Sequence, residues 1–456
     1  MDVNLLILKP HLSSLMFVMR YNLFQSLLTI LLLFSLLTIP VLTKNQQDLN
    51  VSSIENAAFY ENRHPIHIDS DENFLSIATE NEWSGTGTIE NPILIQRYSI
   101  EGISWLIRIQ NIRLHFHILD NYLNTYSSQW AAIQISNSTN FIIERNTILN
   151  GTNGIVIYNC SNFSINENIV TDEYSAIQIA NCSGPIVVTE NSIYDCIGAG
   201  IIISSSHGTE ENRLVLDNNT ISDLRSVGIH ILESVYVSVI RNHIQSVRQT
   251  GIIMSNREAL GSQAAQCVFS FNLMENCNRG LWILASDCTI HGNILMNCSN
   301  EGLRLQSSSL ENQSTSRNRI SWNIFALSES YGVIIEPSCT NNTVLQNDFV
   351  HNGISPQAND NGISTVFVDN FYSDHTEPDI DNNQVVDVPY QLAGTTGISD
   401  SRPHENPYRN ESILIINQMY YSDSPFNALD LMRIAVSSIV SAICVFILIV
   451  FVRKRF

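Results

Sequence analysis

The chain has 456 residues, room for one large domain or two to three ordinary ones, with 43 acidic against 23 basic side chains and a net charge of −20. A molecule of that sign, with no basic stripe, repels phosphate backbones, which argues against nucleic acid as a partner. Only 14% of residues are charged, and abundant Asn, Ser and Ile suit an elongated β-structure better than a helical enzyme.

Near the N-terminus Arg20 precedes an apolar run, Leu23–Leu42. Its length and basic flank suit a secretory signal, but no A-x-A-like cleavage site follows. Residues 1–44 are therefore expected to be a signal peptide or a signal anchor, with both alternatives open. Residues 45–95 are expected to form an N-terminal cap.

Beyond the cap the chain repeats itself. GIVIYNCSNFSINENIV (154–170) and AIQIANCSGPIVVTENSI (176–193) share one pattern, and an asparagine recurs at Asn121, Asn146, Asn168, Asn191, Asn219, Asn242, Asn272, Asn293, Asn323 and Asn347, 21 to 30 residues apart. The residues three before and two after each of these are apolar in every case. Eight or nine residues past most of them, a small residue opens an apolar-x-apolar triplet, as in Gly154-Ile-Val-Ile, Gly228-Ile-His-Ile and Gly280-Leu-Trp-Ile. Period-two alternation means short strands with one buried face, and a fixed period means a solenoid. The expected fold is all-β, a single-stranded parallel β-helix of about ten coils over 96–355, with each coil burying its apolar face on its neighbours. The asparagine is expected inside a turn, its amide bonded to the asparagines above and below. A leucine-rich-repeat horseshoe fits less well, because its Leu-x-x-Leu-x-Leu phrase is absent and no stretch reads as helical.

Cysteines fall in the same register: Cys160 with Cys182, Cys267 with Cys288, and Cys277 with Cys298. Stacked neighbours have Cα atoms about 5 Å apart, so each pair is either a disulfide or two rungs of a buried thiol ladder.

Two flanking phrases are more specific than the coils. Trp83-Ser-Gly-Thr-Gly-Thr88 precedes them; Asn370-Phe-Tyr-Ser-Asp374 and Asp387-Val-Pro-Tyr390 follow. With the coils, over about 60–408, they resemble the NosD-like right-handed parallel β-helix family of secreted and surface proteins. The resemblance implies a right-handed coil and a domain of carbohydrate-binding or sugar-hydrolysing type. Some relatives are copper-binding accessory proteins of nitrous oxide reductase maturation. Copper needs soft or imidazole ligands. Here the choices are His64 with His67 and His115 with His117, and no Met or Cys stands close by, so copper is not expected.

Sugar hydrolysis needs two carboxylates about 5–10 Å apart. The outward residues of the Gly-led strands are Gln134, Val156, Gln178, Ile202, His230, Ile253, Trp282, Arg304 and Ile334; those four before each asparagine run from Ile142 through Ser164 and Val187 to Arg319 and Thr343. Neither row holds a carboxylate. Trp282 and Arg304, from neighbouring coils, and His230 therefore read as ligand-binding residues: a Trp face for a sugar ring, an Arg for its carboxylate or hydroxyls. In the C-terminal cap, 356–412, Asp379, Asp381, Asn383 and Asp387 place oxygen ligands at positions 1, 3, 5 and 9, which suits a structural calcium ion. Asn382-Asn383-Gln384 stands where the family carries a Gly-Asp-Gly-like turn, a departure that weakens the site. The alternative is an acidic turn held by Asx hydrogen bonds.

The chain closes with a stalk at 413–432, a transmembrane helix at 433–452 and a cytoplasmic tail at 453–456. Ile434–Val452 spans roughly 28 Å as a helix, and Arg453-Lys-Arg455 places the tail inside. Eleven Asn-x-Ser/Thr sequons agree with an outside location. The expected function is a membrane-anchored surface binding or adhesion module, for carbohydrate; a polysaccharide-acting enzyme and a structural envelope component remain as alternatives.

Overall fold

The computed structural model describes residues 60–126, 129–255, 266–307 and 315–421. The expected signal segment and the 433–452 span lie outside them; among the described residues no helix is long and apolar enough to cross a membrane.

Three parallel sheets of 13, 12 and 12 strands wind along the chain, every strand pairing with its equivalent one coil later. The first sheet runs from Glu61–Arg63 to Phe371–Tyr372, the second from Ile66–Ile68 to Ala358–Asp360, the third from Ile93–Gln96 to Val366–Val368. Twelve layers are separated by eleven rises, roughly 53 Å of solenoid at about 4.8 Å each. The expectation of about ten coils, starting at 96, is thus too short at both ends. The first coil escapes the sequence pattern because helix α1 (Asp71–Glu80) interrupts it and because Tyr98, not an asparagine, occupies its ladder position, donating its backbone N–H to Asn121 Oδ1 at 3.0 Å.

Why the asparagine recurs is visible in its bonds. Each side-chain N–H donates to the next Asn Oδ1, from Asn121 to Asn146 (2.9 Å) through Asn323 to Asn347 (2.9 Å), and a backbone carbonyl of the preceding coil takes the other proton. These side chains are at most 1% exposed, so the stack satisfies polar groups that a lone asparagine would bury unpaired. The ladder continues one rung past the expected ten, to Asn370, and Asp400 Oδ2 terminates it as a pure acceptor at 2.9 Å.

A second corner, between the second and third sheets, uses thiols and hydroxyls in the same way. Ser138 N–H donates to Cys160 Sγ (3.4 Å), Cys160 N–H to Cys182 Sγ (3.3 Å), Cys182 N–H to Ser206 Oγ (3.0 Å) and Cys288 N–H to Asn318 Oδ1 (2.9 Å). All eight described cysteines are buried free thiols, so the disulfide alternative gives way to the ladder. Parallel stacking points neighbouring side chains the same way, whereas a disulfide needs them aimed at each other. Burial pushes the Cys160 thiol up to about 12 and Cys182 up to about 11, which keeps both protonated.

The flanking phrases build the two ends. At the first, Ser70 caps α1 by accepting the Asn73 N–H (3.2 Å), and Phe74 packs edge-on against Phe116 (5.3 Å) and Trp83 (6.1 Å). This helix, inside the expected N-terminal cap, is a correction to the reading that no stretch of the solenoid and its caps is helical. Gly85 has φ +102°, and a Cβ there would lie 1.9 Å from the Pro92 carbonyl oxygen, so the Trp-Ser-Gly phrase is a turn requirement. At the other end Tyr372 stacks between Phe349 (4.9 Å) and Tyr390 (3.7 Å), and the Tyr390 hydroxyl donates to Asp374 at 3.0 Å.

Part of the expected stalk is docked. Helix α2 (Asn410–Tyr421) begins on the first sheet, where buried Asp348 accepts the Tyr408 N–H (2.9 Å), the Arg409 N–H (3.0 Å) and the Ser412 hydroxyl (2.7 Å). Ile415 completes a small second core with Met296, Ile324, Ala326, Val350 and Phe371, outward residues that would otherwise be exposed.

Candidate functional site

Strand register places the outward residues of the second sheet in one row. His67 pairs with Arg108 and Arg108 with Gln134; farther on, Ile202 pairs with His230, Ile253 with Trp282, and Trp282 with Arg304. The row holds no carboxylate, and neither does the matching row on the third sheet.

The three residues singled out from sequence lie on this row, but their surroundings close them. Arg304 Nε donates to Glu301 Oε1 (2.6 Å) and its Nη1 bonds Glu336 Oε1 (2.9 Å). Arg279 Nε donates to the same Glu301 oxygen, and the Arg279 guanidinium lies 5.0 Å over the Trp282 ring. Glu301 is fully buried, while Arg279 and Arg304 are about a fifth exposed. His230 Nε2 pairs with Ser255 Oγ at 3.0 Å. Both arginines are thus committed to carboxylates that start or follow the strands, out of the alternating positions that the row samples. Two atoms of the cluster have no partner, Glu301 Oε2 and Trp282 Nε1.

The other end of the same face is open. Trp105 and Trp130 precede their second-sheet strands in consecutive coils, and their rings lie 4.0 Å apart at 42°. Trp130 is 38% exposed. The Arg108 guanidinium sits 4.4 Å over the Trp105 ring, its Nη2 donates to Gln110 Oε1 (3.2 Å), and its Nε has no partner. His67 meets Trp105 edge-on at 6.2 Å, and the exposed Tyr174 continues this aromatic side two coils beyond Trp130. Among the described residues no salt bridge ties Arg108 to a carboxylate. Sequence reasoning passed over this set because it followed strand residues only; Trp105 and Trp130 stand in turns.

Next to Tyr174 lies Glu173, fully buried, with the Gly151 backbone, Asp172 and Cys196 as its polar neighbours. Burial pushes its carboxyl up to about 8. In the next coils Asp195 is also raised, first by burial and then by Asp223 and Asp172 in the same turn column.

The acidic loop does assemble: ligand oxygens of Asp379, Asp381 and Asp387 lie within 4.8 Å of one another. They already accept backbone N–H groups. Asp379 takes those of Asn383 (3.2 Å) and Gln384 (2.7 Å), Asp387 that of Ile380 (2.6 Å), and Asn383 Oδ1 that of Val385 (2.8 Å). Although desolvation works against it, the Gln384 and Asn383 donors hold the Asp379 carboxyl below its usual range. Among the described residues this is the one group of three or more His, Cys, Asp or Glu donors that comes together. Among the described residues, neither His64 with His67 nor His115 with His117 gains a third such ligand within that distance.

The class this geometry defines is a parallel β-helix with an aromatic and cationic outer face. The family described as "Right handed beta helix region" matches residues 175–349 and 228–399, and the family described as "Periplasmic copper-binding protein (NosD)" matches 114–210. Together the two matches support a NosD-like right-handed β-helix family for the chain. No curated protein matches it. Among solved structures, the mannuronan C-5 epimerase AlgE4 A-module of Azotobacter vinelandii is similar at 12% identity and a TM-score of 0.41, over 69% of this chain and 90% of that one. A PL6 alginate lyase in complex with a trisaccharide has 9% identity and a TM-score of 0.41, over 69% and 85%. DFA-IIIase from Arthrobacter chlorophenolicus A6 has 13% identity and a TM-score of 0.36, over 61% and 91%. Likeness at this level concerns the solenoid and not its chemistry.

Proposed function

We propose that the protein is a membrane-tethered surface module that binds carbohydrate through the N-terminal end of the second sheet's outer face. The observation that carries the reading is the Trp105–Trp130 pair beside Arg108. It offers a partly exposed aromatic surface of two rings tilted 42° to each other, and beside it a guanidinium with no carboxylate partner among the described residues. Aromatic faces take the apolar side of a sugar ring, and an unpaired Arg donates to hydroxyls or to a uronate carboxylate. His67 and Gln134 flank it with further hydrogen-bonding groups. His230, Trp282 and Arg304 then serve the stability of the coil stack more than ligand contact.

A polysaccharide-acting enzyme is the second reading, and one observation favours it: Glu301 is buried with a free oxygen between two arginines. A structural calcium ion on Asp379, Asp381, Asn383 and Asp387 belongs to the proposal as a brace for the C-terminal cap, the three carboxylates being near enough to share one cation. The test is glycan-array binding by the full chain in detergent, in calcium and again in EDTA, with neutral and uronate-containing glycans side by side. Selective binding that Trp130→Ala removes and Trp282→Ala leaves intact supports the reading. Binding lost only in Trp282→Ala, or turnover of a bound glycan that Glu301→Gln stops, overturns it in favour of the C-terminal cluster.

A further inference from the structure

Each coil holds one residue in a left-handed turn immediately before the ladder asparagine, along the edge where the third sheet passes into the first. From Asp120 to Arg241 that column is charged or amide-bearing, as a solvent-facing turn should be. Then come Phe271, Gly292 and Trp322. Phe271 has φ +55° and Trp322 φ +59°, a backbone region that favours Gly, Asn and Asp and is costly for bulky side chains. Burial does not offset that cost, since Phe271 is 58% exposed and Trp322 40%. Neither local conformation nor core packing explains two aromatics here.

They form one surface. A Cβ on Gly292 would lie 2.7 Å from the Phe271 ring, so that ring leans across the intervening coil towards Trp322. Tyr408 continues the ledge 5.6 Å from Trp322. The segment carrying it is fixed, because Arg409 Nη1 donates to the Gly292 carbonyl oxygen (2.8 Å) and Asp348 accepts the Tyr408 and Arg409 N–H groups. Helix α2 starts at the next residue and is described as far as Tyr421. The apolar stretch Ile434–Val452 begins 13 residues later (434 − 421). Thirteen residues reach at most about 45 Å extended and about 20 Å as helix, and α2 adds about 18 Å, so the chain is long enough to let a bilayer that holds that stretch meet the ledge. Charge points the same way. The column has no carboxylate from Asn218 to Gln346, in a molecule of net charge −20, so the Phe271–Trp322 stretch itself carries no acid to repel anionic headgroups, while Asp369 and the Arg409-paired Glu411 border it at Tyr408.

We propose that Phe271, Trp322 and Tyr408 form a membrane-facing ledge that seats in the headgroup region of the bilayer, where Trp and Tyr place an apolar ring and a polar tip at once. The inference rests on the membrane-tethered part of the proposed function and is independent of the carbohydrate site.

The experiment uses the full chain in phosphatidylcholine–phosphatidylserine vesicles containing lipids brominated near the headgroup, with tryptophan fluorescence as the readout. The chain floats with the vesicles, bromolipid quenches its emission, and Trp322→Phe removes most of the quenching while Trp130→Phe does not. Phe271→Asp, which keeps every tryptophan, lowers the quenching of Trp322 by placing a charge beside it. Equal melting temperatures of the variants in detergent show that both fold. A chain that floats but is unquenched, or quenched equally after Trp322→Phe, overturns the ledge and leaves the anchor standing. A chain that does not float overturns the anchor and the ledge together.

Discussion

The outer face of the second sheet carries two aromatic and cationic sets on one strand row, and they differ in a single respect. At the C-terminal end Arg279, Arg304, Glu301 and Glu336 stand on adjacent coils and pair with one another, which closes the surface around Trp282. At the N-terminal end, among the described residues, Arg108 has no carboxylate partner and Glu173 no basic one. The arginine there stays available beside Trp105, and the buried acid holds its proton instead. Whether charges of opposite sign land one coil apart decides whether a set becomes part of the scaffold or remains open to a ligand.

The largest effect should come from unlocking the closed set. Glu301→Ala leaves Arg279 without its carboxylate in a half-buried site, and breaking such a pair costs about 3–5 kcal/mol, towards the lower figure here because Arg304 keeps Glu336. Urea denaturation measures it. A loss below about 1 kcal/mol would mean that the two ends differ less than their geometry says.

Glu173 tests the opposite case. Its folded pKa, about 8, lies above the unfolded value near 4.5. Between those values the native state holds the extra proton, so raising the pH removes stability, fully present below about 4.5 and fully lost above about 8. The shift corresponds to at most about 5 kcal/mol. Glu173→Gln, neutral throughout, should melt within a few degrees of the parent at pH 5 and clearly above it at pH 9. Parallel melting curves for both proteins across that range would show that the carboxyl finds water or a cation.

Next in size is the difference in binding. Trp105→Ala or Trp130→Ala should weaken glycan binding by about 2 kcal/mol, roughly thirtyfold, with little change in stability. Trp282→Ala should do the reverse, removing a ring that Arg279 covers. Titration calorimetry and melting on the same three variants separate the two ends.

The repeat made most of the solenoid legible from sequence, because a buried amide ladder leaves only asparagine acceptable at one position per coil. The first coil was hidden because Tyr98 takes that position; the last keeps an asparagine, Asn370, which stands inside the flanking phrase and is closed by Asp400. The flanking phrases that reveal the family prove to be end caps: Gly85 shapes a turn, and Tyr372 and Tyr390 stack over the end of the core. They specify how the rod stops, which is why the resemblance carries so little about ligand. The sequons are affected likewise. Asn137, Asn150, Asn159, Asn162, Asn181, Asn218, Asn297 and Asn341 all have positive φ, so turn chemistry alone accounts for asparagine there. The candidate site was half legible: strand alternation located His230, Trp282 and Arg304, but Glu301 pairs with Arg279 and Glu336 with Arg304 across coils, at separations that no local pattern encodes.

The smallest expected effect concerns charges that have neither an arginine nor a buried proton. Asp379, Asp381 and Asp387 crowd within 4.8 Å and are held by backbone N–H donors of their own loop. Those donors already orient the carboxylates, so a cation adds charge neutralisation more than folding. With three carboxylates and no bidentate glutamate, affinity should fall in the millimolar range of extracellular calcium modules, and 10 mM calcium then adds about 1 kcal/mol. The melting temperature should rise by a few degrees over an EDTA control, and Asp381→Asn should abolish the rise while leaving the melt in EDTA unchanged or higher. A melt indifferent to calcium would show that backbone donors are a sufficient counter-charge, the third way, after arginine and the proton, in which this chain settles an acidic side chain.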